Sequence, residues 1–391
     1  MSDLFFSWLM LALGLVLGWV LARRSGARIR AGSERQSPGA GAHWLAQLAE
    51  QDPDRAIAAL IQEASVDSAT ADLHLTLGNL FRSRGEVDRA LRIHEALLAR
   101  PELSRDQQQQ VRLELAEDYL KAGLIDRAEN LYQSLVNEGQ HTVTALEQIL
   151  AIYEQGHDWQ QAIEAARRLE GAKGEPLRAV IAQYYCELAD EAQRARQPDL
   201  ALRHARQALG EDSGCVRARL IQAQLAEQAG DPAQAALHYQ QAFEQEPRLL
   251  GEILPAAQRC FTAAGDEKTF RQLLDDARSM TRSPLPLVAE ARLRQAQGED
   301  PMPLLAAGLA ERPSRAILSE FLQVMEQKPD VMAAGLAAPA ASLRTALEQL
   351  TRSTPRYRCE QCGFTPRQLF WQCPSCKYWS SIWPLEDSFR A

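Results

Sequence analysis

Residues 115–135 read LAEDYLKAGLIDRAENLYQSL, and the spacing within them decides the fold. Leu115-Ala116, Tyr119, Gly123, Ala128, Tyr132 and Leu135 alternate small and large side chains at the offsets of a helix–turn–helix hairpin. Small residues suit the place where two helices cross closely, large ones fill the gap to the next hairpin, and Gly permits the turn. The phrase recurs upstream as Leu77-Gly78, Phe81, Gly85, Ala90 and Leu97, closed by Pro101. It recurs downstream as Gly230, Ala235, Tyr239, Ala242 and Pro247. Gly156 and Ala162 give a looser copy with one extra residue, and Ala201 and Phe270 take the Ala128 slot in weaker copies.

Successive slots (90, 128, 162, 201, 235, 270) lie 38, 34, 39, 34 and 35 residues apart. A period near 34 with this turn is the tetratricopeptide signature. Asp54-Arg-Ala56-Ile57 reads as the end of a partial first repeat. Beyond Gly298 the match fades, although Leu304 to Leu350 keeps a helical period. Ala, Leu, Gln, Arg and Glu dominate while aromatics make up 6%, a composition that favours helices. The expected fold is an all-α tetratricopeptide solenoid over residues 43–353, degenerate after about 298. Each repeat of such a solenoid touches only its neighbours, and the array offers an extended concave surface rather than an enzyme pocket. Asn79, Arg82, Glu117 and Gln224 lie off the packing consensus on first helices, where they either line that surface or form a solvated face.

Residues 4–22, LFFSWLMLALGLVLGWVLA, carry no charge. As a helix they extend about 28 Å, close to the hydrocarbon thickness of a bilayer. Trp8 and Trp19 fall near the two ends, where indoles favour the interface. Arg23, Arg24, Arg28 and Arg30 follow, with Asp3 alone before the run. The positive-inside rule then predicts a single-pass transmembrane helix over residues 1–22, N-terminus outside and the bulk of the chain in the cytoplasm. A cleaved signal peptide is the alternative, but it would want a basic start and a shorter apolar run. Gly14 and Gly18 form a GxxxG spacing that allows close approach of another helix, or are ordinary membrane glycines. Residues 23–42 combine the basic flank with a tether rich in Gly, Ser and Pro.

Four cysteines close the chain, as Cys359-Glu-Gln-Cys362 and Cys373-Pro-Ser-Cys376. Two such pairs read as one tetrahedral Cys₄ metal site within a small module at 354–391. Two disulfides are the alternative, which a cytoplasmic location disfavours. A module this short cannot fold on an apolar core alone, so metal would supply the missing stability. Tyr357, Phe364, Trp371 and Trp379 are expected to pack around the site. Paired knuckles closing one site form the rubredoxin or zinc-ribbon arrangement of short β-hairpins. Iron and zinc both accept tetrahedral thiolate, so spacing does not separate them. All four ligands come from protein, which leaves no open coordination position for hydrolysis.

Nothing else suggests catalysis. The chain has no GxGxxG, GxxxxGK[ST], HExxH or GxSxG motif, and it is expected not to be an enzyme. His74, His94, His204 and His238 read as packing or surface residues. Cys186, Cys215 and Cys260 read as solitary buried thiols, and Arg203 to Arg206 and Arg217-Ala-Arg219 as solvated helix faces. A net charge of −8 argues against nucleic-acid binding.

The apolar N-terminal run with its basic flank, the repeats, and the terminal Tyr357-Arg-Cys359-Glu-Gln-Cys362-Gly363-Phe364 and Trp371-Gln-Cys373-Pro-Ser-Cys376-Lys-Tyr-Trp379 resemble the lipopolysaccharide assembly protein B family across the whole chain. The resemblance implies an inner-membrane adaptor of Gram-negative bacteria. It would act with a membrane AAA+ metalloprotease to control turnover of the deacetylase that commits material to lipid A. Inner-membrane signalling and lipopolysaccharide assembly proteins are further implied partners, and homo-oligomerisation stays open. The resemblance assigns one iron ion to Cys359, Cys362, Cys373 and Cys376. Lys377 stands where rubredoxin carries Gly, which keeps zinc as the close alternative. An electron-transfer metalloprotein and a zinc-ribbon nucleic-acid scaffold, the latter suggested by Arg356, Arg358, Arg367 and Lys377, are the rival readings.

Overall fold

The computed structural model describes residues 68–328, 335, 337–352 and 354–385. The apolar run at 4–22, the flank and tether at 23–42 and the partial repeat at 54–57 lie outside the described residues. Among the described residues no helix is long and apolar enough to cross a membrane. The chain divides into two compact units, residues 1–131 and 132–391, and each is taken by itself.

In the first unit α1 (Ser68–Ser83) and α2 (Val87–Leu98) form a hairpin, followed by α3 (Arg105–Lys121) and the start of α4 (Ile125–Asn137). Ser104 caps α3 in a capping box with Gln107, which satisfies amides that the helix start leaves unpaired. Ala71, Leu75, Leu97, Leu103 and Val111 make the core. Gly78 is required where α1 passes α2, because a Cβ there would lie 2.2 Å from the His94 ring. His94 is fully buried, with Nδ1 2.5 Å from Asp118 Oδ2. Arg82 donates to the other Asp118 oxygen at 2.9 Å and pairs with Glu114 at 2.6 Å and Glu117 at 2.9 Å. Arg82 and Glu117 are thus partners of one another across α1 and α3, and Arg82 is not a free lining residue.

The second unit stacks hairpins α5 (Thr142–Gly156) with α6 (Trp159–Lys173), α7 (Arg178–Arg194) with α8 (Pro198–Glu211), and α9 (Val216–Gln228) with α10 (Pro232–Gln245). A 3₁₀ turn at Pro247–Leu249 leads to α11 (Leu250–Ala264) and α12 (Glu267–Met280). Then come α13 (Leu285–Ala296), α14 (Met302–Glu311), α15 (Arg315–Gln327) and α16 (Ala337–Arg352). The array is a helical solenoid of tetratricopeptide type. Ala90, Ala128, Ala162, Ala201 and Ala235 are all 0% exposed and Phe270 is 2%, so the slot read from the sequence is the helix-crossing point in all six copies.

The turn differs from expectation in two copies. Gly85, Gly123, Gly230 and Gly265 have φ of 82°, 76°, 77° and 70°, and each stands five residues before its slot. In the looser copy the left-handed residue is His157 (φ 56°), not Gly156, and there is no extra residue. Arg196 (φ 56°) takes the same place before Ala201. The turn is fixed by position, and stacking of the flanking helices holds a side chain there against its steric cost.

After α16 the chain forms a small module. Strands β1 (Tyr357–Cys359) and β2 (Ile382–Pro384) pair antiparallel, with Tyr357 opposite Pro384 and Cys359 opposite Ile382. Its core is Tyr357, Cys359, Cys373 and Ile382, joined by Leu369, Phe370 and Cys376.

Candidate metal centre

The two cysteine pairs sit in matching knuckles. Cys359 N donates to Phe364 O at 2.8 Å, and Gly363 N donates back to Cys359 O at 3.0 Å. Cys373 N donates to Tyr378 O at 2.9 Å, and Lys377 N donates back to Cys373 O at 2.8 Å. Gly363 has φ 77° and Lys377 φ 62°, so the second knuckle makes the same left-handed turn with a side chain that the first makes without one. The departure from the rubredoxin pattern therefore changes the residue but not the backbone.

The four Sγ atoms lie within 4.8 Å of one another. Cys359 to Cys376 and Cys362 to Cys373 are each 3.7 Å apart. A tetrahedral ion with bonds of about 2.3 Å has sulfur–sulfur edges of about 3.8 Å, so the arrangement fits a metal. Disulfides would bring two sulfurs to about 2.05 Å, and neither pair is so placed. The donor set also wants a cation. Burial works against ionising Cys359, but Ser381 and the Cys362 and Gln361 amides together bring its thiol down to about 6. The Tyr378 amide favours the Cys376 thiolate, yet burial and three neighbouring thiols push it up to about 12. Four thiolates in one place repel, and a divalent ion removes the conflict. Cys359 and Cys373 are buried, while Cys362 is exposed.

Of the aromatic residues expected around this centre, Tyr357 packs in the module core with Cys359 and Cys373, whereas Trp371 and Trp379 turn to the solenoid. Trp379 lies 6.1 Å from Trp159 and 5.7 Å from Tyr184, both edge-on, between ring centroids. Its Nε1 donates to Glu154 Oε1 at 2.9 Å, the atom that also accepts from the Tyr184 hydroxyl at 2.6 Å. Burial, and then the Glu154 carboxylate, push the Tyr184 phenol far above its ordinary range, so it stays a donor. Tyr357 donates its hydroxyl to Glu252. The Arg248 guanidinium lies 3.8 Å from the Trp383 ring centre and its Nη1 donates to Glu360 at 3.0 Å. Arg217 lies 5.7 Å from the Trp371 ring centre. Phe364 alone of the four expected aromatics is exposed, at 38%.

Arg217 is consequently not part of a solvated face. It is 4% exposed, and its Nη2 reaches Glu187 at 2.9 Å and Asp190 at 2.6 Å. Arg203 and Arg206 are exposed as read. Cys186 and Cys215 are not solitary either, since their sulfurs are 3.7 Å apart. Gln224 is exposed, and Asn79 is half-buried with Oδ1 unpartnered. The seat residues Glu154, Trp159, Tyr184, Arg248 and Glu252 are not singled out by the sequence pattern, and Arg217 reads there only as helix surface. Trp159 and Tyr184 belong to the repeat core, and the only mark of the other four is a charge on a helical turn.

Comparison with known proteins agrees with both parts. Residues 357–384 match the rubredoxin metal binding domain family, and residues 186–247 match the tetratricopeptide repeat family. Lipopolysaccharide assembly protein B of Escherichia coli strain K12 is 32% identical over 391 residues, covering 98% of this chain and 98% of that protein. The protein of the same name from Haemophilus influenzae is 31% identical over 400 residues, covering 99% of each. Among solved structures, a tetratricopeptide repeat protein from Parabacteroides merdae aligns with 70% of this chain and 100% of its own, at 12% identity and a TM-score of 0.32. Near-complete coverage at this identity makes the chain a member of the lipopolysaccharide assembly protein B family.

Proposed function

We propose that this chain is an inner-membrane adaptor of lipopolysaccharide synthesis rather than an enzyme. The observation that carries the reading is its full-length similarity to proteins named for lipopolysaccharide assembly. Residues 1–22 hold it in the membrane as a single span, with the remainder on the cytoplasmic side. The solenoid and the cysteine module present the deacetylase that commits material to lipid A to a membrane AAA+ protease, and so match synthesis to demand. Repeat solenoids work by offering surface to other proteins, which supports an adaptor. The seating of the module on the solenoid supports treating the two as one binding body.

Cys359, Cys362, Cys373 and Cys376 hold one ion in this reading, iron first and zinc as the alternative. Bound there, the ion acts as a structural cross-link that stabilises the module by about 10 kcal/mol or more on the scale of small zinc domains. Elemental analysis of the purified chain identifies it. Depleting the chain in its native host and following the deacetylase over time tests the function. A longer deacetylase half-life is the expected result. An unchanged half-life overturns the protease-adaptor reading and leaves a scaffold for other envelope enzymes.

A further inference from the structure

Cys186 and Cys215 form a second thiol site, distinct from the four knuckle cysteines. Cys186 lies on α7, and Cys215 is the residue that precedes α9. Their sulfurs are 3.7 Å apart, with 0% and 3% of the residues exposed. Gln183 Nε2 donates to Cys215 Sγ at 3.5 Å, and Gln183 Oε1 accepts from Arg217 Nη1 at 3.5 Å. Both thiols belong to one apolar cluster that is rich in alanine, such as Ala182, Ala189, Ala205 and Ala218, and also holds Ile221 and Leu225. Neither thiol has a metal-ligand cluster to belong to, since the cysteine cluster with metal-ligand geometry among the described residues is the knuckle set.

The two thiols are chemically unequal. A hydrogen bond from Cys186, followed by the Ala218 amide at the start of α9 and the Arg217 charge, outweighs burial and holds Cys215 below the ordinary thiol range. Burial pushes Cys186 well above it. A thiol at a helix start beside an arginine, with a second thiol 3.7 Å away, has the geometry of an attacking sulfur and its resolving partner.

We infer that Cys186 and Cys215 are a reversible dithiol–disulfide site oxidised by hydrogen peroxide, with Cys215 attacking and Cys186 resolving. The Cys215 thiolate attacks one peroxide oxygen, the O–O bond breaks, and sulfenic acid and hydroxide form. Hydroxide takes up the proton released when Cys215 ionised, giving water. The Cys186 sulfur then attacks the Cys215 sulfur, the S–O bond breaks, and hydroxyl leaves with the Cys186 proton as a second water. Two thiols are oxidised by two electrons and one peroxide is reduced. Burial selects a water-sized oxidant and excludes bulky disulfides such as oxidised glutathione. A dithiol reductant acting on the locally opened segment reverses the bond. Through Gln183 the site adjoins Arg217, and through Arg217 the seat of Trp371.

The test uses the full-length, metal-loaded chain, treated with peroxide, alkylated under denaturing conditions and cut with trypsin without reduction. The expected product joins peptides 179–194 and 207–217 with the loss of two hydrogens. The variant Cys186→Ser should stop at a sulfenic acid on Cys215 that dimedone, added with the denaturant after peroxide is removed, captures, and Cys215→Ser should leave Cys186 unlabelled. Oxidised glutathione should give neither product. Recovery of both peptides fully alkylated, or of Cys215 as sulfinic acid in the unaltered chain, overturns the inference. Equal labelling of Cys186 in Cys215→Ser overturns the assignment of roles.

Discussion

Trp379 of the cysteine module and Glu154 of α5 share a 2.9 Å hydrogen bond across 225 residues of chain. Glu154 Oε1 accepts at the same time from Tyr184, and the Trp379 ring is boxed edge-on by Trp159 and Tyr184. The carboxylate satisfies two aromatic donors that would otherwise be costly to cover. The module is therefore clamped to the first-helix side of the second unit by a polar bond inside an apolar contact.

Trp379→Ala should loosen that clamp. The expected loss is about 2–3 kcal/mol, below the figure for a fully buried Trp because the ring is partly exposed. Trp379→Phe keeps the ring contacts and removes one donor, at a cost of about 1 kcal/mol. Chemical unfolding of both variants, followed by protease cleavage within 354–385, separates the two effects. Equal losses would show that the hydrogen bond, not the ring, carries the contact.

Metal removal should unfold the module while leaving the solenoid helices intact. Trp371, Trp379 and Trp383 would all leave ordered contacts, so a chelator should shift tryptophan emission to the red with little change in helical circular dichroism. Acid should act in the same direction, because protons compete with the ion for thiolate sulfur. A chelated chain with unchanged emission would mean that the seat holds the module without metal.

The repeats were legible because their determinants are local. Ala128 and its equivalents mark helix crossings that depend on neighbours within one hairpin, so spacing alone locates them. The turn was misread at Gly156 because glycine served as the marker, whereas the left-handed position belongs to His157. The knuckle cysteines were legible for the same local reason. Arg217 and Trp379 were not, because their partners are distant in sequence and their own neighbours look like ordinary helix surface or knuckle residues. Cys186 and Cys215 escaped as a pair because 29 residues and a helix hairpin separate them.

Lys377 gives a backbone test. It occupies left-handed space at φ 62°, where a side chain costs about 1 kcal/mol or more. Lys377→Gly should stabilise the loaded module by a net of about 0.5–1 kcal/mol, once the greater freedom of Gly in the unfolded chain is subtracted. Gly363→Ala is the reverse experiment. Nothing lies within 4 Å of a Cβ placed at Gly363, so its expected loss of about 1 kcal/mol is conformational alone. Thermal melts of the two variants should move in opposite directions. A loss of stability in Lys377→Gly would show that the lysine side chain contributes more than its backbone costs.

Arg217 joins the solenoid's charge balance to the module. It is buried, faces Glu187 and Asp190, and lies over the Trp371 ring. Arg217→Met keeps most of the side chain's bulk but leaves two carboxylates without their cation. Both acids retain some solvent contact, which holds the expected cost near 2 kcal/mol rather than the 3–5 kcal/mol of a fully buried pair. Burial alone would lower the pKa of Arg217, yet the Glu187 and Asp190 carboxylates raise it, so the group stays charged at every physiological pH. The cost of the variant therefore does not depend on any loss of charge from Arg217 in the unaltered chain. A double cycle with Trp371→Leu measures how much of the loss passes through the module. Additive losses would confine the role of Arg217 to the solenoid, whereas a coupling of about 0.5–2 kcal/mol would make it a strut between the repeats and the cysteine knuckles.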